Sequence, residues 1–215
     1  MIALIDYKAG NLTSVRKAFA AIGAELYDPA SPADLERATA IVVPGVGHFG
    51  ATAALDCGWA AAIRTRVAAG RPLLGICLGL QWLFAGSEEA PDCPGLGLLS
   101  GMCHRLRGTA AEDSAHQDQV AGGIHGVIKV PHVGWNSLAI EHRVPIVAGV
   151  ATGSQVYFTH SFVAPVTADT VAVTEHGERF AAIVQRGHIA GVQFHPEKSG
   201  DIGLQILRNW LSGVN

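Results

Sequence analysis

Leu73-Leu74-Gly75-Ile76-Cys77-Leu78-Gly79-Leu80-Gln81 is the stretch on which the reading of this chain turns. The apolar run from Pro72 to Ile76 reads as a buried strand, and Gln81 to Phe84 begins the helix that follows. Between them stands Gly-x-Cys-x-Gly, the thiol counterpart of the Gly-x-Ser-x-Gly turn that lifts a nucleophile above a sheet edge. Small residues two positions either side of Cys77 permit the sharp turn, and the N–H of Leu78 is left to bind an oxyanion. A tight turn around an inert buried cysteine would carry the same pentapeptide. Its surroundings have to decide.

Upstream, the pattern alternates. Ile2 to Asp6 is a short apolar run ending in an acid, and Leu12, Val15, Phe19 and Ile22 recur at helical spacing. Glu25 to Tyr27 reads as a strand, Asp34 to Arg37 as a short helix, and Ile41-Val42-Val43 as a buried strand stopped by Pro44-Gly45. Trp59 to Ala69 is a helix closed by Gly70. Apolar strands separated by helices predict an α/β fold, a mostly parallel central sheet flanked by helices. Downstream, Met102 to Leu106, Gln155 to Phe158, Thr170 to Thr174, Ala181 to Gln185 and Ile189 to Phe194 read as strands with short turns, an antiparallel extension of that sheet. Leu204, Ile206, Leu207, Trp210 and Leu211 mark a last amphipathic helix. The polar, aperiodic 108–126 stretch reads as an exposed loop. Without repeats or linker-like tracts, residues 1–215 are expected to form one domain.

Composition narrows the function. With 49% hydrophobic and 15% charged residues, the chain reads as a compact enzyme rather than a disordered protein. A net charge of -3 without a basic stripe argues against a nucleic-acid partner. No apolar run reaches the roughly 20 residues that a membrane helix needs. Met1 to Asp6 lacks a basic leader and a cleavage site, so a cytoplasmic protein is expected. Cys57, Cys77, Cys93 and Cys103 include no Cys-x-x-Cys pair, so no metal site is expected; all but Cys77 read as free structural thiols.

A thiol nucleophile needs a base that takes its proton and returns it to the departing amine. Near the other end, Gly191-Val192-Gln193-Phe194-His195-Pro196-Glu197-Lys198-Ser199 puts His195 just after a buried strand. Glu197, two residues on across a stiff proline, is placed to hold the imidazole in one tautomer. An acyl-transfer site also needs backbone donors for the oxyanion, each contributing roughly 3 kcal/mol. Pro44-Gly45-Val46-Gly47 after a buried strand offers them, because two glycines let the backbone turn without side-chain clash. Gly45, Gly47 and Gly50 match the bare Gly-x-Gly-x-x-Gly spacing, yet the preceding proline and the lack of an acid ending a strand about 20 residues later count against a dinucleotide site. A phosphate-cradling loop would need Gly-Lys-Ser/Thr where this segment has Gly47-His48-Phe49.

Together these segments resemble the class I (triad) glutamine amidotransferases over nearly the whole chain. In detail they resemble the glutaminase subunits of imidazole glycerol phosphate synthase, from histidine biosynthesis. The similarity is carried by Asp6-Tyr7 with Gly10-Asn11-Leu12, by Pro44 to Gly47, and by Gly75 to Gly79 with Gln81. It continues in Pro131-His132-Val133-Gly134-Trp135-Asn136, Tyr157-Phe158-Thr159-His160-Ser161-Phe162, and Gly191 to Gly200. The chain departs from the family at Phe162, where tyrosine is usual, and in the length of the 108–126 stretch.

The resemblance implies a catalytic triad of Cys77, His195 and Glu197, with an oxyanion hole from Gly45, Val46, Gly47 and Leu78. Gln81, Ser161 and Phe162 would hold the substrate L-glutamine. A glutamyl thioester at Cys77 would be hydrolysed by water, without a cofactor. The ammonia would pass to a separate (β/α)8-barrel cyclase, giving a heterodimer in which Asn11, Pro131, Trp135 and Lys198 lie at or near the interface. For Trp135 the residues alone leave a core role equally open, and for Lys198 an exposed helix-start cation. Two other readings stand beside this one: the glutaminase of another class I amidotransferase, and a stand-alone elbow-cysteine hydrolase needing neither Gln81 nor a partner. A non-catalytic binding module would have little use for an intact Cys77, His195 and Glu197.

Overall fold

The computed structural model describes residues 1–56, 58–108 and 128–214. Most of the 108–126 stretch, read above as a loop, lies outside the described residues, as does Cys57. The first half runs β1 (Ile2–Leu4), α1 (Leu12–Ala21), β2 (Leu26–Tyr27), β3 (Ala40–Val43), α2 (Trp59–Ala68), β4 (Leu73–Ile76) and α3 (Leu78–Leu83). The second half adds β5 (Gly86–Ser87), β6 (Met102–Arg105), β7 (His132–Ser137), β8 (Ala139–Ile140), β9 (Gln155–His160), β10 (Phe162–Val163), β11 (Thr170–His176), β12 (Glu178–Arg186), β13 (Ile189–Val192) and α4 (Gly200–Ser212).

The large sheet has the order β2-β1-β3-β4-β13-β12-β11-β8. Its first five strands are parallel and its last three join antiparallel; of the strands expected in that extension β11 and β12 lie in it, whereas the strand at Ile189 is the fifth parallel one and the strand at Gln155 stands in another sheet. Both faces are dry for a reason visible in β3: Ala40 and Val42 enter one core cluster, Ile41 and Val43 the other. Helices α1 and α4 cover the first face, where the Phe19 and Trp210 rings meet edge-on at 6.0 Å. Ile63 and Val67 of α2 pack into the second. Each such side chain, fully buried, contributes about 1.5–3 kcal/mol.

Three details differ from the sequence reading. Helix α3 begins directly after Cys77 rather than at Gln81, and it stops at Leu83. All six of its residues are buried, so no amphipathic spacing marks its start. The Pro131 to Asn136 segment, read only as a motif, holds strand β7, paired antiparallel with β9 in a separate two-stranded sheet. Its side chains alternate in exposure, but a histidine, a glycine and an asparagine take the less exposed positions while Val133 and Trp135 face outward, the reverse of an apolar-in pattern. The strand at Met102 also stands outside the main sheet, between β10 and β5.

One register relation positions everything that follows. β4 and β13 are parallel neighbours, with Gly75 opposite Gly191 and Ile76 opposite Val192, and the Cys77 N–H donates to Val192 O at 2.8 Å. The two chains therefore leave the sheet side by side at its C-terminal edge, where α/β folds build their sites.

Candidate active site

Cys77 sits between β4 and α3 with φ 53 and ψ −105, a backbone conformation that non-glycine residues rarely adopt. The flanking glycines show what makes it feasible. A Cβ on Gly75 would fall 2.6 Å from Gly79 O, and one on Gly79 would fall 1.8 Å from Val43 O. The elbow is thus clamped against itself and against the end of β3. Its sulfur lies 3.9 Å from Thr159 O and accepts from Gln193 Nε2 at 3.8 Å.

His195 follows β13 after Gln193 and Phe194, and its N–H donates to Tyr157 O at 2.9 Å. Its Nδ1 meets Glu197 Oε1 at 2.9 Å, and the two side chains are 2% and 3% exposed. Nε2 is buried and has no hydrogen-bond partner among the described residues. Burial opposes a charge on this ring, but the Cys77 sulfur and the Glu197 carboxylate outweigh it and raise the imidazole to about 10. A charged imidazole between a sulfur and an orienting carboxylate is equipped to protonate a leaving amine.

A cavity of about 290 Å³ opens at this edge, lined by Gly47, Cys77, Leu78, Gln81, Glu89, Pro131, and residues 159 to 162. All three residues assigned to glutamine lie there. Gln81 is buried and uses its amide to tie the walls together, donating to Phe162 O at 2.8 Å and towards Gln193 Oε1 at 3.4 Å. Ser161 O is likewise occupied, by the Leu106 N–H at 2.8 Å.

The backbone donors assigned to the oxyanion are differently disposed. Leu78 N–H donates to Gly45 O at 3.3 Å, and Val46 N–H donates to Ala9 O at 3.0 Å. Gly47 lines the cavity at φ 96. In this conformation the Leu78 and Val46 N–H groups are therefore engaged by backbone carbonyls instead of presented to the cavity.

Of the residues assigned to a partner, Asn11 caps α1 by accepting from Ser14 N–H at 3.3 Å, and Pro131 is exposed at the cavity. Trp135 is 57% exposed, so it is no core residue, and its neighbour Val133 is 59% exposed. Its ring meets Tyr157 edge-on at 6.1 Å, and Lys198 Nζ sits 5.6 Å from the centre of the same Tyr157 ring. Val46, next to the cavity-lining Gly47, is exposed as well.

Sequence reasoning missed two side chains of this site. Glu89 accepts from Phe49 N–H at 2.7 Å and is the one carboxylate among the described residues lining the cavity. No motif surrounds it. Gln193 lay within the quoted GVQFHPEKSG run, but only folding brings its amide to the sulfur.

A family model described as glutamine amidotransferase class-I matches residues 3–213. The chain belongs to the class-I glutamine amidotransferase family. This amidotransferase is 41% identical to a Syntrophotalea carbinolica protein named imidazole glycerol phosphate synthase subunit HisH, across 98% of each chain. To the subunit of the same name from Gloeobacter violaceus it is 44% identical, across 98% of this amidotransferase and 88% of that protein. Its fold matches a crystal structure of glutamine amidotransferase with a TM-score of 0.71 at 20% identity, covering 100% of this chain and 99% of the other. Among the described residues no helix is long and apolar enough to cross a membrane, and no group of three or more His, Cys, Asp or Glu is placed to hold a metal ion.

Proposed function

We propose that this amidotransferase is the glutaminase subunit of imidazole glycerol phosphate synthase, a single cytoplasmic domain that feeds ammonia to a separate barrel cyclase. The names of its relatives support the assignment, and one observation carries the chemistry. The parallel pair β4–β13 delivers Cys77 and the His195–Glu197 pair to one sheet edge, beside a cavity lined by the Glu89 carboxylate.

The steps follow from that placement. The Cys77 sulfur adds to the side-chain carbonyl carbon of glutamine, forming the C–S bond and an oxyanion, and the C–N bond breaks as that oxyanion collapses to the thioester. His195 gives its proton to the departing nitrogen, which leaves as ammonia, while Glu197 keeps the ring in register. Water, deprotonated by His195, then opens the thioester to glutamate and frees the sulfur. Glu89 supplies the negative charge that the substrate's ammonium group requires. The oxyanion needs the Leu78 and Val46 donors, so both must leave their present partners before turnover.

That requirement fits a partner-controlled enzyme. Gly47 and Pro131, each next along the chain to or near an exposed residue of the same segment (Val46, Val133, Trp135), line the cavity, so a cyclase face docking on those segments would receive ammonia before water protonates it. Glutaminase activity should be measured on the chain alone, then with the cyclase and its nucleotide ligand. Weak basal turnover that rises strongly in the complex is expected. Cys77→Ser should abolish glutamine-dependent synthesis and leave synthesis from ammonium salts intact. Full activity without a partner would favour a stand-alone hydrolase, and loss of both activities in Cys77→Ser would show the site to be misplaced.

A further inference from the structure

Tyr7 follows β1 and packs in the same core cluster as Val43, Phe49 and Leu78. It is 8% exposed, and its hydroxyl is buried and makes no hydrogen bond among the described residues. A buried hydroxyl left unpaired is destabilising by roughly 1–3 kcal/mol, and phenylalanine would fill the same space without that penalty. The fold gains nothing from this oxygen. Its position points to a different use.

The hydroxyl is pressed against Gly45. A Cβ there would come within 1.9 Å of the Tyr7 oxygen and 2.9 Å of Leu78 Cβ, so the phenol and Leu78 crowd the same glycine. Gly45 is buried, and its carbonyl accepts the Leu78 N–H at 3.3 Å, longer than the usual 2.9–3.0 Å. If Leu78 simply turned its N–H to substrate, the Gly45 carbonyl would be left buried without a donor. The unused phenol beside Gly45 is a donor in waiting.

We infer that Tyr7 is a positioning residue for the oxyanion hole: its hydroxyl takes over the Gly45 carbonyl and thereby releases the Leu78 N–H to the substrate oxygen. The exchange lowers the number of unpaired buried groups by one, where release without Tyr7 would raise it by one. Burial, reinforced by the nearby Cys77 charge, pushes the phenol well above its ordinary value, so it stays an O–H donor at any working pH. Tyr7 makes no hydrogen bond to Cys77 or His195. The inference rests on the glutaminase reading above.

Tyr7→Phe in the full chain, assayed with the cyclase and its nucleotide ligand, tests it. The expected result is a kcat for glutamine hydrolysis lower by about 10–100-fold, short of the loss seen when a direct oxyanion donor is removed, with KM within about twofold. The unfolding midpoint should hold or rise, because an unpaired hydroxyl is gone. Alkylation of Cys77 by iodoacetamide, which builds no oxyanion, should keep its wild-type rate. An unchanged kcat overturns the inference, as does a kcat loss matched by a lower midpoint or slower alkylation. Absence of glutaminase activity in the wild-type complex would sink the amidotransferase reading and this inference with it; wild-type turnover equalled by Tyr7→Phe would sink this inference alone.

Discussion

His132 Nδ1 faces His160 Nε2 at 3.3 Å, and the neighbours of the pair decide which nitrogen carries each proton. Asn136 Nδ2 donates to Glu175 O at 2.9 Å and lies 3.3 Å from His132 Nε2, while Asn136 Oδ1 accepts from Ser137 N–H at 2.8 Å. An amide nitrogen has no lone pair to offer, so His132 Nε2 accepts and Nδ1 donates to His160. Both rings are neutral, and they join β7, with its exposed Val133 and Trp135, to the wall of the cavity.

Acid should therefore loosen this region first. Burial, with His176 adding repulsion, lowers His132 to about 4; burial, then His132 and more weakly His195 and His176, lower His160 to about 3 against a raising Phe162 backbone contact. Above the unfolded value near 6.5 neither ring affects stability. As pH falls from there towards 4 and 3, the unfolded chain binds protons that the folded chain refuses, and stability drops by about 1.4 kcal/mol per unit for each ring. Urea midpoints followed from pH 7.5 to 4.5 should show a shallower fall in His160→Gln than in the wild type. Parallel curves would refute the neutral pair.

Glu197→Gln keeps the shape of the His195 partner and removes its charge. With the carboxylate gone, burial gains on the remaining Cys77 contribution and the imidazole moves down from about 10. Turnover in the cyclase complex should fall by about 10²–10⁴-fold, and the alkaline limb of kcat/KM should move to lower pH. A pH profile identical to wild type would mean that Glu197 does not act on His195.

Glu89→Gln should separate binding from chemistry. The carboxylate lines the cavity and stands to pair with the ammonium of free glutamine. Loss of a charged hydrogen bond of about 1.5–3 kcal/mol predicts a KM higher by roughly 10–100-fold, with kcat nearly kept. If kcat falls and KM does not, Glu89 has another role.

Gly79→Ala is expected to abolish folding or destabilise by about 3 kcal/mol or more, since its methyl would fall 1.8 Å from the Val43 carbonyl. Gly153→Ala meets no atom within 4 Å at φ 91 and should be destabilising by only about 1 kcal/mol. Denaturant midpoints of the two variants provide the comparison. Similar midpoints would remove the steric account of the elbow.

Trp135→Ala should leave the isolated chain within about 0.5 kcal/mol of wild-type stability, because the ring is largely outside the core. Affinity for the cyclase should drop by about 2 kcal/mol or more, roughly 30-fold, when measured by calorimetric titration. Undiminished affinity would place the interface elsewhere.

Much of the fold was legible because its signals are local. Runs such as Ile41-Val42-Val43 report a strand dry on both faces, and glycines around Cys77 report a turn that larger residues cannot make. β7 was hidden because its inward positions are held by His132, Gly134 and Asn136 while Val133 and Trp135 face outward, so no apolar face marks it as a strand. Glu89 was hidden because nothing near it in the chain hints at the cavity it lines.

By its residues alone this chain determined an alternating α/β sheet with an elbow thiol, and a histidine–carboxylate pair two positions apart, since turn sterics and apolar spacing act within a few residues. Only the tertiary structure decided that Gln193 and Thr159 meet the sulfur, that Trp135 faces outward, and that Gly45 and Ala9 already hold the Leu78 and Val46 donors. Those outcomes are pairings between segments far apart in the chain, and which of several polar groups wins a given partner depends on distances that exist only once the sheet has closed.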